Sequence, residues 1–285
     1  MNSIKENWLQ VDNLDIRYFV TGNGDLPVIL LHGGGTNSAM LSWKNTIIAL
    51  SQEHRVYAPD WPCYGESSSY HGEYTTELLI KCLGLMMDAW HIPIADLIGL
   101  SMGGCAAIGY TLLAPERVNN LVLVSGYGFQ QKAPYHRLSY LLLRTPFLYR
   151  FIWLCMRKSP NAVRFCLQNI IHESDAVSDD LVKEVFQMAQ RPSIEQSFFS
   201  WLRNEVLWTG MNTCYLDKLH EIRARTLLIH GEQDPLVPVK YAYQASQHIP
   251  HARLHVMRGC GHWLTRESPD EFNRILKKFL VREGC

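Results

Sequence analysis

The segment Ile94-Ala-Asp-Leu-Ile-Gly-Leu-Ser-Met-Gly103 decides the fold, because it joins a short apolar run, a tight turn and the start of a helical pattern. Its last five residues match the G-x-S-x-G turn, which holds a serine between a strand and a helix. The serine of such a turn has strained backbone angles, so the residues two positions away need almost no side chain. The helix predicted over 104–113 also favours negative charge near its N-terminus. These features predict that Ser101 is a catalytic nucleophile.

A serine hydroxyl is a weak nucleophile at neutral pH and needs a neighbouring base. Among the twelve histidines, His262 stands in a glycine-containing turn between the last predicted strand and an amphipathic helix predicted over 269–280. In the chain order serine, acid, histidine, the acid falls between the other two. Asp234 directly follows a predicted strand, and its Asp-Pro turn is better placed than the neighbouring Glu232. We therefore predict a triad of Ser101, Asp234 and His262, in which the carboxylate orients the imidazole.

The negative charge that develops on a substrate carbonyl oxygen needs preorganised hydrogen-bond donors. The N–H of Met102, directly after the predicted nucleophile, supplies one donor. The loop His32-Gly-Gly-Gly35 supplies the other, with Gly34 as the first choice and Gly35 as the alternative, since glycines let the backbone approach a substrate closely. We expect His32 itself to support the loop.

Short apolar runs that end in glycine- or aspartate-containing turns recur along the chain, with helical patterns between them. The runs are Val28–Leu31, His54–Ala58, Ile94–Ile98, Leu121–Val124, Arg225–His230 and Ala252–Met257. They predict an α/β fold with a mostly parallel central sheet flanked by helices, and with antiparallel strands near 9–17. Functional groups in such sheets gather at the carboxyl ends of the strands, so the predicted triad converges at one edge.

One segment breaks this alternation, because its pattern is helical, rich in Trp, Phe, Leu and Met, and without a clear strand. We predict that residues 1–126 and 217–285 form the core domain and that residues 127–216 form an inserted all-helical cap. Most cap aromatics are expected to pack the cap's own small core, while its underside forms the upper wall of an apolar pocket. Arg144, Pro146 and Arg150 interrupt the apolar stretch 138–156, which makes it a poor membrane-spanning segment.

Lys plus Arg and Asp plus Glu each number 27 in the 285 residues, so the formal net charge is zero. This balance argues against a nucleic-acid partner and against polybasic attachment to a membrane. We expect a small-molecule substrate, no cofactor and no metal, and homo-oligomer formation is left open. The scattered cysteines predict free thiols in a cytoplasmic protein. They are Cys63, Cys82, Cys105, Cys155, Cys166, Cys214, Cys260 and Cys285.

The motifs resemble the α/β-hydrolase superfamily across nearly the whole chain. Similarity to the superfamily's turn after its fourth strand lies in Asp60-Trp-Pro-Cys-Tyr-Gly-Glu-Ser67, with Cys63 where glycine is usual. Similarity to the meta-cleavage-product hydrolases lies in Ala252-Arg-Leu-His-Val, Cys260-Gly-His-Trp263 and Asp270-Glu-Phe-Asn-Arg274, as well as in the triple glycine and Ser-Met-Gly-Gly. Members of that family cut a C–C bond in vinylogous 1,5-diketone acids from bacterial aromatic-ring degradation. The resemblance implies a cofactor-independent serine hydrolase.

The same resemblance implies substrate-binding residues. A cap arginine binds the carboxylate end of the substrate in that family, and Arg191, before Pro192, resembles it in setting. Trp263 matches the tryptophan after the family's catalytic histidine. Leu100 stands where the family usually has asparagine, and Thr36 where it usually has proline. Leu100 thus removes a polar group from the region of the substrate's dienol end.

Two other functions fit these residues. Simple ester cleavage by a carboxylesterase is open, because Leu100 weakens the case for the C–C substrate. A hydrolase-fold receptor, which binds a ligand and turns it over slowly, also keeps a complete triad. Haloalkane dehalogenase and epoxide hydrolase chemistry are disfavoured, since both need a carboxylate where Ser101 stands.

Overall fold

The computed structural model describes residues 3–281, and one eight-stranded sheet organises them. Its strands are β1 Lys5–Val11, β2 Leu14–Thr21, β3 Val28–Leu31, β4 Val56–Pro59, β5 Ala95–Leu100, β6 Val118–Val124, β7 Arg225–Gly231 and β8 Arg253–Met257. Their order across the sheet is β1-β2-β4-β3-β5-β6-β7-β8. Strand β2 is antiparallel to both β1 and β4, and the remaining pairs are parallel. The predicted α/β class with a mostly parallel sheet is confirmed.

The helices fill the connections between the strands. Within the described range they are α1 Ala39–Leu50, α2 Thr76–Ala89, α3 Met102–Leu113, α4 His136–Leu143, α5 Pro146–Lys158, α6 Pro160–Gln168, α7 Asp179–Ala189, α8 Pro192–Glu205, α9 Lys240–His248, α10 Leu264–Glu267 and α11 Pro269–Leu280. The side chains of Ser38, Thr75 and Ser178 begin α1, α2 and α7 by accepting a backbone N–H three residues on, each at 3.2 Å. Proline occupies the first position of α5, α6, α8 and α11, where its missing N–H costs nothing.

The centre of the sheet is covered on both faces. Every residue of β3 and of β5 is buried, although successive side chains of a strand point to opposite faces. Strand β6 begins three residues before the apolar run predicted at 121, because its polar residues find a partner. The side-chain amides of Asn119 and Asn120 donate to Asp96 Oδ1 at 2.7 and 2.8 Å. The core therefore accommodates polar side chains at the start of β6, because their amides are hydrogen-bonded to Asp96.

Helices α4–α8 lie between β6 and β7, in the segment 127–216 that we call the cap. The described residues of the cap contain one isolated bridge, between Val206 and Met211, and no strand. Pro146 divides the apolar stretch 138–156 into two short helices, since α4 ends at Leu143 and α5 begins at Pro146. In the described chain, no helix combines the length and apolarity that crossing a bilayer requires.

The described cysteines carry free thiols and several of them are buried. Burial raises the pKa of the Cys82 and Cys260 thiols to about 12. These thiols are protonated at neutral pH and pack as small apolar groups. Cys285 lies outside the described residues.

Candidate active site

Ser101 sits on a strained turn between β5 and α3, with φ 51° and ψ −113°. The turn needs both flanking glycines. A Cβ on Gly99 would lie 2.5 Å from Gly103 O, and a Cβ on Gly103 would lie 2.4 Å from Leu31 O. Both contacts are with backbone atoms, which cannot move aside cheaply. The spacing of the pentapeptide thus follows from steric contacts at the sheet edge.

Asp234 and His262 form a direct pair. His262 Nδ1 lies 2.7 Å from Asp234 Oδ2, and both side chains are buried. The second carboxylate oxygen, Oδ1, accepts the N–H groups of Leu236 at 2.8 Å and Val237 at 2.9 Å. This pattern fixes the carboxylate plane before any substrate binds. Glu232, the neighbour considered from the sequence, is exposed and has no contact with the imidazole.

The charge of Asp234 is maintained by two histidines. Burial opposes its ionisation, but the charge and hydrogen bonds of His262 and His230 hold the pKa of Asp234 well below its usual value. His230 Nε2 lies 2.7 Å from Val237 O and 3.4 Å from Asp234 Oδ2, so a proton on Nε2 faces both oxygens. An ionised Asp234 accepts a hydrogen bond from the protonated Nδ1 of His262. That tautomer leaves Nε2 of His262 free to act as a base.

Ser101 and His262 line the same cavity, which has a volume of about 680 Å³ and lies between the sheet edge and the cap. The two residues come from loops that follow β5 and β8, as the strand-end argument predicts. Among the residues that line the cavity in the described chain, none is Asp, Glu, Lys or Arg. The lining is therefore uncharged and mostly apolar, with polar side chains both near Ser101 and in the cap.

The predicted oxyanion donors border the same chamber. Met102 is the first residue of α3, so its N–H has no acceptor within the helix and is available to a ligand. Gly34 also lines the cavity, and a Cβ built on it would lie 3.4 Å from Met102 Sδ and 2.5 Å from the ring of Phe198. Gly35, the alternative donor, lines the cavity with φ 73°.

Two of the residues that the resemblance implies for substrate binding also reach the cavity. Leu100 is 2 % exposed and lines the chamber beside the nucleophile. Trp263 lines it as well, and its indole N–H donates to Ser42 Oγ at 3.3 Å. Because the indole N–H of Trp263 is already hydrogen-bonded, the residue offers the cavity its apolar ring.

Arg191 does not reach the cavity. Its guanidinium donates to the backbone carbonyl of Gly65 and pairs with the carboxylate of Glu66, on the turn after β4. The side chain of Arg191 begins at the N-terminus of α8, so it is directed to the edge of the cap. Since Arg191 is engaged outside the cavity in this structure, its expected role in binding a substrate carboxylate stays a prediction. Arg191 ties the cap to the core.

An aromatic wall that the sequence did not single out faces the nucleophile loop. Phe198 and Trp201 on α8 stack with ring centroids 6.0 Å apart, and Tyr127 meets Trp201 edge-on at 5.0 Å. All three line the cavity. Tyr127 is far from Phe198 and Trp201 in the sequence, so no helical or strand periodicity could indicate that the three rings pack together.

A buried carboxylate holds that wall in place. Glu205 is 1 % exposed and accepts hydrogen bonds from Tyr127 Oη at 2.7 Å and Thr76 Oγ1 at 2.6 Å. It also accepts both the backbone N–H and the hydroxyl of Thr213, at 3.0 and 2.8 Å. Thr76 Oγ1 in turn accepts the indole N–H of Trp201 at 3.1 Å. Four hydrogen-bond donors therefore satisfy the oxygens of this buried carboxyl group.

The turn that carries His262 is sandwiched between the acid loop and the cap. A Cβ on Gly261 would lie 2.5 Å from Ile170 O and 2.9 Å from His172 N, both in the cap. On the other side, a Cβ on Gly231 would lie 1.9 Å from Gly261 O. The backbone N–H of His262 donates to Ile170 O at 2.8 Å. This hydrogen bond to the cap therefore helps to fix the position of the His262 imidazole.

Glu267 strengthens this junction. Its carboxylate accepts the N–H of His172 at 2.6 Å and also the N–H of Gly261. Burial raises the pKa of Glu267, and the two backbone donors oppose that shift. One carboxylate thus joins the histidine turn to the cap segment that lies on it.

Gly261→Ala is expected to displace either the cap segment or His262, because the new methyl group would meet cap backbone atoms at 2.5 and 2.9 Å. We expect the free energy of unfolding to fall by roughly 1–3 kcal/mol and kcat/KM to fall by about 10²-fold. Urea unfolding and ester kinetics measure the two effects. Gly259→Ala is the control for kcat/KM in the same turn: its φ of 69° also strains an alanine, but nothing lies within 4 Å of its Cβ position. An equal loss of kcat/KM in the two variants would contradict the contact between the His262 turn and the cap.

His32 supports the glycine loop, as the sequence predicts. Its Nδ1 lies 2.8 Å from Gly33 O, and its Nε2 accepts the backbone N–H of Trp61 at 3.1 Å. The indole N–H of Trp61 donates back to His32 O at 3.0 Å. An acceptor at Nε2 requires the neutral imidazole. Burial lowers the pKa of His32 to about 4, which keeps the ring neutral at physiological pH.

The neutral state of His32 makes stability depend on pH. Its folded-state pKa of about 4 lies below its ordinary value of 6.5, so the unfolded chain binds the proton first on acidification. The contribution is intact above about pH 6.5, declines as the pH falls through that value, and levels off below about 4. The total loss is about 3 kcal/mol. Urea unfolding between these pH values should show a shallower pH dependence in His32→Gln than in the wild type, and parallel curves would contradict the assignment.

The chain is similar to known hydrolases over most of its length. Residues 27–269 match the family model described as alpha/beta hydrolase fold. The chain is 29% identical over 260 residues to the 2-hydroxy-6-oxo-2,4-heptadienoate hydrolase of Pseudomonas putida, covering 90% of each protein. It is 30% identical over 278 residues to the 2-hydroxy-6-oxononadienedioate/2-hydroxy-6-oxononatrienedioate hydrolase of Burkholderia vietnamiensis, covering 94% of this chain and 92% of that relative.

Solved structures agree with the relatives. A meta-cleavage product hydrolase from Pseudomonas fluorescens superposes with a TM-score of 0.82 at 27% identity, covering 98% of each chain. The resemblance inferred from the glycine loop, the serine turn and the histidine turn is thereby confirmed. The chain belongs to the α/β-hydrolase fold family, in which its relatives include meta-cleavage product hydrolases.

Proposed function

We propose that this protein is a serine hydrolase that cleaves a carbonyl compound through Ser101, His262 and Asp234. One observation carries the proposal: an imidazole bound at 2.7 Å to a buried carboxylate borders the same cavity as a serine on a strained turn. This arrangement supplies a nucleophile, a base and an orienting acid without a cofactor.

In the first half of the proposed reaction, Ser101 Oγ attacks the carbonyl carbon while His262 Nε2 takes its proton. The N–H groups of Met102 and Gly34 receive the negative charge that forms on the carbonyl oxygen. Asp234 stabilises the imidazolium produced by the transfer. Collapse of the intermediate breaks the bond to the leaving group, which takes the proton from His262, and leaves Ser101 acylated.

The second half uses the same groups. His262, neutral again, removes a proton from a water molecule that attacks the acyl carbonyl. The oxyanion donors act once more, and Ser101 regains its proton as the carboxylic acid leaves. The proposed reaction consumes one water and yields an acid together with an enol or ketone from a C–C bond, or an alcohol from an ester.

The names of the relatives favour a C–C substrate of the 2-hydroxy-6-oxo-dienoate class. The cavity supports this size of molecule, since its volume of about 680 Å³ falls in the range of small-ligand sites. Its aromatic wall of Tyr127, Phe198 and Trp201 suits an unsaturated chain or an aromatic group.

A carboxylesterase is the second candidate, favoured by the absence of charge in the chamber. In the described chain no Lys or Arg lines the cavity, Leu100 offers no polar group, and Arg191 is engaged at the cap edge. A substrate carboxylate would lose its hydration there without gaining a cation, which is costly. An uncharged ester avoids that cost.

Purified protein assayed against a coloured 2-hydroxy-6-oxo-dienoate and against short p-nitrophenyl esters separates the candidates. A kcat/KM at least 10²-fold higher for the dienoate supports the C–C hydrolase, and the reverse order supports the carboxylesterase. Turnover far below ~1 s⁻¹ on all of them, together with a ligand-dependent rise in thermal stability, would instead support the receptor hypothesis.

The organisation of the chain forms part of the proposal. We propose that residues 1–126 with 217–285 form the catalytic core and that the cap, 127–216, closes the cavity from above. Cap side chains such as Phe198 and Trp201 line the chamber, and core residues hold the triad. A cytoplasmic location, a substrate that is not a nucleic acid, and homo-oligomer formation stay predictions.

A further inference from the structure

The outward face of the first two cap helices is apolar. On α5, Phe147, Phe151 and Leu154 follow one another at helical spacing and are 73 %, 54 % and 45 % exposed. On α4, Leu138 and Leu141 are 56 % and 53 % exposed. Exposed apolar residues that occur singly need no explanation, but a contiguous stripe across two neighbouring helices marks a contact surface. We call this outer surface of α4 and α5 the cap face.

The charges on the cap face have one sign. The sequence contains no Asp or Glu between Glu116 and Glu173. Within residues 130–172, the described ion pairs with a carboxylate belong to Arg157 and Arg164, so five other exposed cations have no carboxylate partner among the described residues. Arg137, Arg150 and Lys158 lie on α4 and α5, Arg144 follows α4 directly, and Lys132 precedes α4 by a few residues. The chain therefore combines a net charge of zero with a cationic segment, so its overall charge balance does not exclude attachment of this segment to an anionic membrane.

We infer that the cap face is a docking surface for an anionic lipid bilayer. Phenylalanine and leucine side chains flanked by Lys and Arg are the combination that binds at a membrane interface, where apolar groups enter the acyl boundary and cations meet anionic headgroups. A second copy of the chain fits less well, because a symmetric contact would bring these cations against one another. Docking concerns the outer surface and does not depend on the proposed function.

Part of the cavity lining is exposed beside the cap face. Tyr135, Leu142 and Ile152 line the cavity and are also 86 %, 41 % and 46 % exposed, so we infer an opening at these residues, while Leu236 of the Asp234 loop is an exposed lining residue on the core. A docked protein would hold this opening against the bilayer. An apolar substrate could then enter the chamber from the lipid phase, a consequence that rests on the proposed function.

Co-sedimentation of the full chain with lipid vesicles tests the inference. We expect binding to vesicles of phosphatidylcholine and phosphatidylglycerol in equal parts, weak binding to phosphatidylcholine alone, and loss of binding as salt is raised. Arg150→Gln/Lys158→Gln should lower the partition coefficient about 30-fold, and Phe147→Ser/Phe151→Ser at least about 10-fold. None of these four residues lines the cavity, so hydrolysis of a soluble p-nitrophenyl ester should stay unchanged.

Matched controls replace exposed residues of the core. Lys44→Gln/Lys278→Gln removes two exposed cations, and Ile48→Ser/Leu113→Ser removes two exposed apolar groups. Both control variants should bind vesicles like the wild type. The inference is overturned if the wild type ignores anionic vesicles or binds both lipids equally. It is also overturned if Phe147→Ser/Phe151→Ser splits a dimer on gel filtration while vesicle binding persists.

Discussion

Replacing Ser101 by alanine is expected to lower kcat by about 10⁵–10⁶-fold, the largest effect of any single substitution in this chain. The reason is that the reaction as proposed begins with a covalent bond to Ser101 Oγ, and no other hydroxyl can replace it at the turn. The measurement is single-turnover hydrolysis of the better substrate, with release of p-nitrophenol or loss of dienoate colour as the signal. Residual activity comes from the oxyanion donors and binding alone.

The Ser101→Ala variant should fold normally, since alanine meets the same backbone angles without adding atoms. We expect its unfolding free energy to lie within about 1 kcal/mol of the wild type. A substrate soaked into it should persist uncleaved in the cavity. Full activity in a folded Ser101→Ala protein would refute the mechanism.

Replacing Asp234 by asparagine is expected to lower kcat by about 10⁴-fold. An asparagine Oδ1 still accepts the N–H groups of Leu236 and Val237. Its amide N–H₂ then faces His262 Nδ1, which forces the imidazole proton onto Nε2. A protonated Nε2 cannot accept the proton of Ser101, so the geometry is retained while the base is lost.

Two comparisons sharpen this test. Glu232→Gln changes an exposed carboxylate two residues away and should leave kcat unchanged. The double variant of Ser101→Ala with Asp234→Asn should be no slower than Ser101→Ala alone, because the residues act as one unit. If kcat of the double variant fell by the product of the two single losses, Asp234 would act independently of Ser101.

Local patterns in the sequence predicted the parts of the site that backbone sterics control. Gly99 had to be small because a Cβ there would clash with the backbone of α3, and Gly103 because a Cβ there would clash with the backbone at the end of β3. The apolar runs predicted the central strands, most of whose ends differ from the predicted ones by one to three residues. The early start of β6 has a visible cause, since Asn120 finds a buried partner in Asp96. The loops of Asp234 and His262 were predictable for the same reason, since strand ends in a parallel sheet meet at one edge.

Arg191 shows what such patterns cannot reach. Its hydrogen-bond partner Gly65 lies 126 positions away in the chain, and the pairing depends on how the cap settles on the core. The same holds for Glu205, whose donors Thr76 and Tyr127 are 129 and 78 positions distant. Side-chain pairings between the cap and the core are long-range contacts, and the spacing of residues in the sequence does not predict them.

By itself, the sequence determined the α/β class, the tight turn of Ser101, the loops that carry Asp234 and His262, and the glycine loop, because each depends on steric limits within a few residues of a strand end. Only the tertiary structure decided which side chains face the cavity, that no Asp, Glu, Lys or Arg among the described residues lines it, and that exposed apolar side chains of α4 and α5 lie on the surface of the cap. Those properties arise when the cap packs on the core, because this packing brings together residues that are far apart in the sequence.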